Sequence, residues 1–388
     1  MKVRNAKILT PAPPQSVFGT ASAAPAETGG PSTVLEKAQE PRTGEKVLWV
    51  RTVAGPAIGF GHLRRTLTLA RMLRPSVTSL FLLDADDQGS QEQVRRDRFG
   101  LRVFRPGMPW PDHASPSAIL IDTRQAQGLK WLMAEARRRA IPVVSLHDLG
   151  LMPLASDLAI DGSIRPFAGC DSPEGTNYCG GLSYLVLDPA YAAWRRRAKR
   201  IRREVGRIII NLGGGDSRRY FRKVLEGLRR TGLRLDVVGV PGFSRWGQEK
   251  LAQECWQPLR FRWASQGESI AELAWRADLA ITAGGLAAYE ALSVGTPLCA
   301  LSYDRWQRMT VQALAESGFC LDLGHGKTLT PSRLSFSCSQ LAGDQELRRR
   351  LALRGRRAVD GLGAQRVCRR LRSILMKRTT VRAQAKSR

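Results

Sequence analysis

The sequence predicts an α/β protein made of two doubly wound domains. At 388 residues, the chain is long enough for two domains of ordinary size. Hydrophobic residues make up 43% of it, which is enough to bury a core in each domain without disulfides. From Lys46 onward, short apolar runs alternate with stretches of helical periodicity. That alternation is typical of parallel sheets covered by helices on both faces.

Four apolar runs in each half of the chain are predicted strands. They are short, rich in Val, Ile and Leu, and separated by stretches of helical or turn-forming sequence. The predicted strands are Val47–Val50, Ser79–Leu83, Ala118–Ile121 and Pro142–Leu146 in the first half, and Arg207–Asn211, Leu235–Val238, Leu279–Thr282 and Pro297–Leu301 in the second.

Changes in composition divide the chain into five parts. Residues 1–45 are rich in Pro, Ala, Ser, Thr and Gly without a hydrophobic period, so we expect a disordered extension there. Residues 46–190 form the predicted amino-terminal α/β domain, and residues 207–376 form the carboxyl-terminal one. Between them lies a basic linker at 191–206, and a basic tail follows at 377–388.

The linker is predicted to be a helix. Within it, Trp194, Ala198, Ile201 and Val205 recur at steps of four, three and four, which places them on one helical stripe, while most other positions are Arg. Two roles fit this pattern. The stripe could dock on one of the domains, or the helix could lie on an anionic membrane surface.

The charge of the chain is strongly positive, with 61 Lys and Arg against 34 Asp and Glu and a formal net charge of +27. Such a field attracts nucleic acid, anionic lipid and phosphorylated metabolites alike. The seven cysteines contain no Cys-x-x-Cys pair, so they indicate neither a zinc site nor a disulfide framework and favour a reducing cytoplasm. No apolar run reaches the roughly 20 residues of a membrane-spanning helix. We therefore expect a cytoplasmic protein.

The stretch "AIGFGHLRRTLTLA" follows the first predicted strand and holds the first candidate site. Gly59 and Gly61 allow a sharp bend and a close ligand approach, and His62 can exchange a proton near neutral pH. A loop at the carboxyl end of the first strand is where open α/β sheets bind ligands. A histidine that only caps the helix is the structural alternative.

Two further glycine-rich turns follow strands of the second half. "IIINLGGGDSRRY" contains Gly213 and Gly214 before a helix, where amides favour anions; Asp216 or Ser217 as a plain N-cap is the alternative. "ADLAITAGGLAAYEALSVGTP" places Gly284–Gly285 at a helix start and Glu290 farther along that helix. A diphosphate at those amides would let the Glu290 carboxylate bond the two hydroxyls of a ribose, so this turn favours a nucleotide.

Five segments in this order carry a resemblance that runs from about Lys46 to about Leu375: "GFGHLRR", "YLVLDPAYAAWRRR", "IIINLGGGD", "ADLAITAGGLAAYEALSVGTPLCALSYDRWQ" and "LAESGFCLDLG". The chain resembles the PseG/SpsG family, UDP-sugar hydrolases of nonulosonic acid pathways and their spore-coat polysaccharide relatives. It is more distantly similar to the MurG-type glycosyltransferases. The resemblance implies a GT-B-like fold, with two Rossmann-type domains and an interdomain cleft.

The resemblance also implies roles for residues of the amino-terminal loop. In the family, the Gly-x-Gly-His-x-x-Arg loop supplies the catalytic histidine. This maps onto Gly59, Gly61, His62 and Arg65, with Arg65 either neutralising phosphate or merely covering its helix.

In the carboxyl-terminal half, the resemblance implies a nucleotide site. The helix start at Gly284 and Gly285 corresponds to the one that holds the UDP phosphates, and Glu290 corresponds to the ribose partner of the MurG-like relatives. Gln307 aligns with the second member of a polar pair that follows the next strand.

From these residues, we expect a hydrolase that releases UDP and free sugar from a UDP-linked amino or deoxy sugar in nonulosonic acid or surface polysaccharide biosynthesis. His62 would act as general base on water, and neither cofactor nor metal is expected. The alternative is MurG-like glycosyl transfer from a UDP-sugar, with peripheral contact to an anionic membrane. A third hypothesis, an anionic-polymer binder, has only the charge in its favour. Because no nucleic-acid motif appears, no specific nucleic-acid partner is expected.

Overall fold

The computed structural model describes residues 45–55, 58–84, 88–105, 107, 110, 115–123, 128–150, 153–167, 175–214, 218–242 and 248–386. Within these ranges the chain forms two parallel sheets that are each flanked by helices, so the predicted α/β fold class is confirmed. The predicted extension at 1–45 lies outside the described residues except for Glu45. No helix of the described ranges is both long and apolar enough to cross a membrane.

The amino-terminal lobe is built on a seven-stranded sheet in the order β3-β2-β1-β4-β5-β6-β7, with every neighbouring pair parallel. Its elements are β1 (Val47–Thr52), α1 (Gly61–Leu73), β2 (Thr78–Leu83), α2 (Gln88–Arg96), β3 (Gly100–Val103), β4 (Ala118–Asp122), α3 (Leu129–Arg138), β5 (Val143–His147), β6 (Leu158–Asp161), β7 (Asn177–Gly180), a 3-10 turn (Leu182–Tyr184) and α4 (Pro189–Arg195).

The carboxyl-terminal lobe has a six-stranded parallel sheet in the order β10-β9-β8-β11-β12-β13. Its elements are β8 (Arg207–Asn211), α5 (Arg218–Arg229), β9 (Asp236–Gly239), α6 (Gln248–Gln253), β10 (Arg260–Trp263), α7 (Ile270–Arg276), β11 (Leu279–Ala283), α8 (Leu286–Ser293), β12 (Leu298–Ser302), α9 (Arg305–Glu316), β13 (Leu321–His325), α10 (Pro331–Gly343), α11 (Gln345–Ala358) and α12 (Gly363–Lys386).

Both sheets change direction at a corresponding point. In the amino-terminal lobe, β1 lies between β2 and β4, so the crossovers leave it toward opposite edges of the sheet. In the carboxyl-terminal lobe, β8 lies in the same way between β9 and β11. Ligands of open α/β sheets bind in the crevice at the carboxyl ends of such strand pairs. The two pairs are β1 with β4 and β8 with β11. The predicted glycine turns follow β1, β8 and β11.

The last helix crosses to the amino-terminal lobe, which corrects the predicted domain boundary at 376. Residues Ala364, Val367, Cys368, Leu371 and Leu375 of α12 are buried in the same core cluster as the apolar face of α1. The physical reason is that Leu63, Leu67 and Ala70 of α1 present an apolar surface, and the apolar residues of α12 are buried with them. The helix also continues to Lys386, through residues predicted as a tail.

The predicted linker helix at 191–206 is wrong, because α4 ends at Arg195. Beyond it, backbone carbonyls accept hydrogen bonds from side chains instead of from helical amides; those of Arg202 and Arg203, for example, bond Arg348. Like charges four residues apart, such as Arg195 with Lys199, also disfavour a helix. Lys199 fixes the segment on the carboxyl-terminal lobe, with Nζ 2.6 Å from the carbonyl oxygen of Trp275.

Candidate active site

The loop between β1 and α1 carries the histidine motif. Gly59 has a φ of +84°, in the left-handed region that favours glycine, and it pairs through its backbone with Gly55. This bend places Gly61 and His62 as the first two residues of α1. Phe60 precedes the helix and provides no side-chain cap.

His62 is held by a carboxylate that ends the neighbouring strand. Its Nδ1 lies 2.8 Å from Oδ1 of Asp122, the last residue of β4. The Asp122 side chain is fully buried, whereas that of His62 is 32% exposed. With the proton on Nδ1 donated to Asp122, the lone pair of Nε2 is left to act as a base. The pair therefore lies at the switch point between β1 and β4, and its imidazole is accessible.

Arg65 lies beneath this pair and contacts two carboxylates. Its Nη2 and Nε donate to Oδ1 and Oδ2 of Asp122 at 2.6 and 2.5 Å, and its Nη1 donates to Oδ1 of Asp148 at 2.8 Å. The Arg65 side chain is only 8% exposed. The guanidinium is therefore bonded to carboxylates on both edges, and its predicted roles, neutralising phosphate or covering the helix, stay predictions.

The charges of this cluster fix the protonation of its carboxyl groups. Burial alone would raise the pKa of Asp122, but Arg65 and then His62 outweigh that effect and lower the pKa to about 2. Burial would also raise the pKa of Asp148, but Arg65 outweighs that effect and leaves this pKa below its usual range. Both carboxyl groups are therefore ionised at neutral pH and accept hydrogen bonds only.

The start of α8 presents the second predicted site. A Cβ on Gly284 would lie 2.5 Å from the main-chain oxygen of Gln307, so the fold itself requires glycine there. A Cβ on Gly285 would meet nothing within 4 Å. Gly285 is the N-cap residue of α8, and it likewise provides no side-chain cap. The space above the first turn of this helix is open.

The two sites adjoin each other. A Cβ on Gly61, the neighbour of His62, would lie 3.7 Å from a methyl carbon of Leu286, the first residue of α8. The histidine end of α1 thus faces the amide end of α8. A ligand bound to the amides of α8 would lie beside the imidazole.

Glu290 is one turn farther along α8, and it is 3% exposed. Its Oε1 forms an ion pair with Nη2 of Arg64 at 2.9 Å. Its Oε2 is buried without a hydrogen-bond partner of normal geometry among the described residues. Both residues line a cavity between α1, residues 186–188 and α8. The carboxylate predicted to bind ribose therefore faces the cleft, but an arginine of the amino-terminal lobe occupies half of it.

Gly213, Gly214 and Gln307 lie around the loops that follow β8 and β12. Gly213 donates from its amide to Oδ1 of Asn211 at 3.2 Å and lies under the Tyr303 hydroxyl. Gly214 follows it and is half-buried. The Gln307 side chain accepts from the amide of Tyr303 at 3.2 Å, so it supports this loop. The alternative N-caps, Asp216 and Ser217, lie outside the described residues.

Capping distinguishes the helices of this site from most others. Among helices with a described N-cap residue, α4, α7, α9, α10 and α11 are capped by the side chains of Asp188, Ser269, Asp304, Thr330 and Asp344. Helices α1 and α8 have no side-chain cap and no acidic residue in their first turn, and α3 shares this property. Uncapped amides together with the helix dipole favour an anion.

Sequence reasoning did not identify Asp122, Asp148 or Arg64 as parts of this site. Each of the two aspartates follows a run of buried strand residues, at or just after the strand end. A polar residue that ends a buried strand was the available signal. Among the described residues, no group of three or more His, Cys, Asp or Glu is placed to hold a metal ion.

Comparison of sequences relates the chain to two proteins. It is 32% identical over 189 residues to the spore coat polysaccharide biosynthesis protein SpsG of Bacillus subtilis, covering 48% of this chain and 56% of that protein. It is 24% identical over 269 residues to the uncharacterized protein MJ1062 of Methanocaldococcus jannaschii, covering 65% of this chain and 54% of that one. The chain thus spans little more than half the length of each relative. No protein-family model matches it.

Comparison of structures finds the same two-lobed architecture in glycosyltransferases. MurG of Acinetobacter baumannii superimposes with a TM-score of 0.61 at 14% identity, covering 85% of this chain and 99% of that one. The calicheamicin glycosyltransferase CalG4 gives 0.57 at 14% identity, covering 86% and 98%. LpCGTa, solved in complex with UDP, gives 0.59 at 14% identity, covering 86% and 99%. At such identities the likeness defines the fold, which is GT-B.

Proposed function

The chain is related to SpsG and has the GT-B fold, and on that premise we propose that it is an enzyme of polysaccharide biosynthesis that transfers a glycosyl group from a UDP-linked sugar to an acceptor hydroxyl. One observation carries the proposal. The imidazole of His62, bonded to Asp122 at 2.8 Å, lies at the end of α1 that faces the uncapped start of α8.

The start of α8 is the proposed diphosphate site. The free space at Gly285 lets the phosphates approach the backbone, and the uncapped amides with the helix dipole place positive potential there. This potential stabilises the charge that builds on UDP as it leaves, which is where electrostatic catalysis is most effective. Glu290 would bond the ribose hydroxyls, with Arg64 displaced from its carboxylate.

His62 is the proposed general base. Nε2 takes the proton of the acceptor hydroxyl while that oxygen forms a bond to the anomeric carbon. The bond from this carbon to the diphosphate oxygen breaks in the same step, so the electron pair and the negative charge leave with UDP and the configuration inverts. Asp122 holds the imidazole by Nδ1 and stabilises the imidazolium that forms.

Asp148 is the proposed contact to the sugar. It is held by Arg65 through one oxygen, it is ionised, and its side chain is 39% exposed beside the histidine. An ionised carboxylate accepts hydrogen bonds only, which suits the hydroxyl or amide N–H groups of a sugar.

We propose glycosyl transfer as the reaction, although the sequence alone favours hydrolysis. The solved structures with this architecture include proteins described as glycosyltransferases, and the SpsG name refers to polysaccharide synthesis. Hydrolysis remains the second candidate, because the loop from Gly59 to Arg65 resembles that of the UDP-sugar hydrolases. Water would then take the acceptor's place before the same base.

Product analysis tests the proposal. The purified chain is incubated with a panel of UDP-sugars, with and without oligosaccharide and polyol acceptors, and UDP and sugar products are measured. UDP release that depends on an acceptor supports transfer, and free sugar formed in equal amount with UDP supports hydrolysis. If no UDP-sugar is bound or cleaved while a sugar linked to another nucleotide is, the proposed donor is wrong.

A further inference from the structure

The positive charge of this chain is concentrated in two segments that lie side by side. Residues 195–203 contain seven Lys or Arg, residues 348–357 contain six, and neither segment contains Asp or Glu. Together they carry nearly half of the formal net charge of +27. A single UDP-sugar site on other elements does not account for this excess.

Three of these cations hold the two segments together, and a fourth fixes the first segment on α7. Arg348 donates from Nη2 to the carbonyls of Arg202 and Arg203 at 2.8 and 2.7 Å, and it is buried. Arg195 donates to the carbonyl of Arg356 at 2.8 Å, and Arg356 returns a bond to the carbonyl of Arg195. Lys199 anchors the first segment on α7. Because backbone groups are bonded directly, the segments form a fixed surface.

The remaining nine cations of the two segments have exposed side chains. On α11, four arginines and Leu353 recur at positions i, i+1, i+4, i+5 and i+8, so they share one face of the helix. Leu353 is 48% exposed and Leu362, just beyond the helix, is 40% exposed. We name this surface the arginine face; its exposed cations are Arg196, Arg197, Arg200, Arg202, Arg203, Arg349, Arg350, Arg354 and Arg357.

The arginine face differs from the other arginine-rich surfaces in lacking counter-charges. Many of the exposed arginines elsewhere pair with acidic neighbours, as Arg222 does with Glu254 and Arg262 with Glu268. On the arginine face, only Arg202 has a carboxylate within 4 Å among the described residues, at 3.7 Å from Asp278. Like charges held this close repel one another unless an anionic partner neutralises them.

We propose that the arginine face docks on an anionic phospholipid membrane. Arginines near such a surface are attracted by its potential, and their aliphatic stems allow them to reach the head groups while leucines enter the interface. The exposed apolar side chains of this face are aliphatic. Trp194, the residue before the first segment, is covered by Arg197 at 4.1 Å and packs on Trp275, so it offers no platform for bases. A lipid surface therefore fits better than a nucleic acid.

Vesicle sedimentation of the full chain tests this proposal. We expect binding to phosphatidylcholine vesicles that contain phosphatidylglycerol, no binding to phosphatidylcholine alone, and release at high salt, because the attraction is screened. Each arginine near an anionic surface strengthens binding roughly fivefold. The triple variant R349E/R350E/R354E should therefore bind about 10²-fold more weakly or worse.

A matched control separates the face from the total charge. The variant R105E/R234E/R333E changes the net charge equally at exposed arginines outside the face and should keep most of the vesicle affinity. Leu353→Asp should weaken binding at unchanged arginine content. Equal losses in both triple variants, no binding by the parent chain at about 0.1 M ionic strength, or tighter binding to RNA or DNA than to vesicles at about 0.2 M salt would overturn the proposal. Turnover of soluble substrates should be the same in all variants, so this test is independent of the proposed reaction.

Discussion

The two lobes contribute to the candidate site in different ways. The amino-terminal lobe uses side chains: His62, Asp122, Arg65 and Asp148 form a bonded cluster whose carboxylates are kept ionised by the arginine. The carboxyl-terminal lobe uses backbone groups. Helix α8 begins without a side-chain cap, and the space beside Gly285 at its start is open. The first arrangement can move a proton, and the second can bind an anion.

This difference predicts that substitutions in the two lobes affect different kinetic constants. Removing a proton-transfer group lowers kcat with little effect on donor affinity, whereas obstructing a binding surface raises the dissociation constant. A substitution at His62 that changed only donor affinity, or one at Gly285 that changed only kcat, would contradict this difference between the lobes.

The largest effect is expected for His62→Ala. Without the base, kcat should fall by roughly 10²-fold or more, while UDP affinity measured by calorimetry should change little. Asp122→Asn tests the same pair, because it removes the acceptor that orients Nδ1, and it should lower kcat in the same direction. Unchanged turnover of the folded His62→Ala variant would remove His62 from the reaction.

The next effect is expected at the start of α8, where two adjacent glycines should respond differently. Gly285→Ala leaves the fold intact, since its Cβ meets nothing, but it should weaken UDP binding about tenfold by obstructing the diphosphate. Gly284→Ala places a Cβ 2.5 Å from the Gln307 oxygen and should lower the free energy of unfolding by about 1–3 kcal/mol.

Gly343→Ala is the matched control for this pair, because a Cβ there also meets nothing within 4 Å and the residue lies at the end of α10. It should change neither UDP affinity nor stability appreciably. Equal UDP affinity in Gly285→Ala and the parent chain would show that the diphosphate does not approach this helix.

A smaller effect is expected at Glu290, where the two lobes meet. If its carboxylate binds the ribose hydroxyls, UDP should bind several-fold more tightly than 2′,3′-dideoxyuridine diphosphate, as lost hydrogen bonds to a charged group predict. In Glu290→Gln this difference should shrink. Calorimetry with both nucleotides measures it, and an undiminished difference in the variant would place the ribose elsewhere.

The last prediction concerns the free energy of unfolding at acid pH, to which Asp122 contributes. Asp122 is ionised in the folded protein with a pKa of about 2, below the unfolded value of about 3.9. Its contribution to the free energy of unfolding is therefore complete above pH ~4 and is lost as the pH falls toward 2. Urea unfolding of Asp122→Asn should show a weaker dependence on acid pH than the parent chain.

Glu268 provides the contrast for that measurement. The pKa of Glu268 is also lowered to about 2, chiefly by the hydrogen bond from Arg262. This pair, however, lies on the surface of the other lobe. Solvent screens exposed pairs, so Glu268→Gln should alter the acid dependence less than Asp122→Asn does. The opposite order would show that burial does not strengthen the amino-terminal cluster.

The sequence predicted the central strands and the site glycines, and physical reasons explain what it missed. All eight predicted strands are present within two residues of their predicted bounds, because central strands of parallel sheets are apolar on both faces. The added strands β3, β7, β10 and β13 lie at sheet edges, and β6 lies next to one. Short and partly polar segments such as β10, "RFRW", lack an apolar run.

In the candidate site, His62 and Gly285 were predictable because a glycine turn marks each position locally. Asp122 and Asp148 were not, because their roles come from Arg65, which is 57 and 83 positions distant in the chain. The linker helix was predicted from a stripe of four residues. The stripe is a local pattern and carries no information on the arginines of α11 that bond the linker's carbonyls. Long-range hydrogen bonds override local periodicity in both cases.

The path of α12 has a consequence for how the lobes can move and fold. The chain passes between the lobes once near residues 186–189 and returns at 361–363, where a Cβ on Gly363 would lie 2.0 Å from the main-chain oxygen of Leu185 and one on Gly361 would lie 3.3 Å from the backbone of Ala192. Two crossings side by side allow the halves to open about the line that joins them and resist twisting. The first lobe also obtains part of its interior from residues that are made only after the whole second sheet. During synthesis, its core therefore stays incomplete until residues 364–375 emerge, and a fragment that ends before them should need that helix added back to fold.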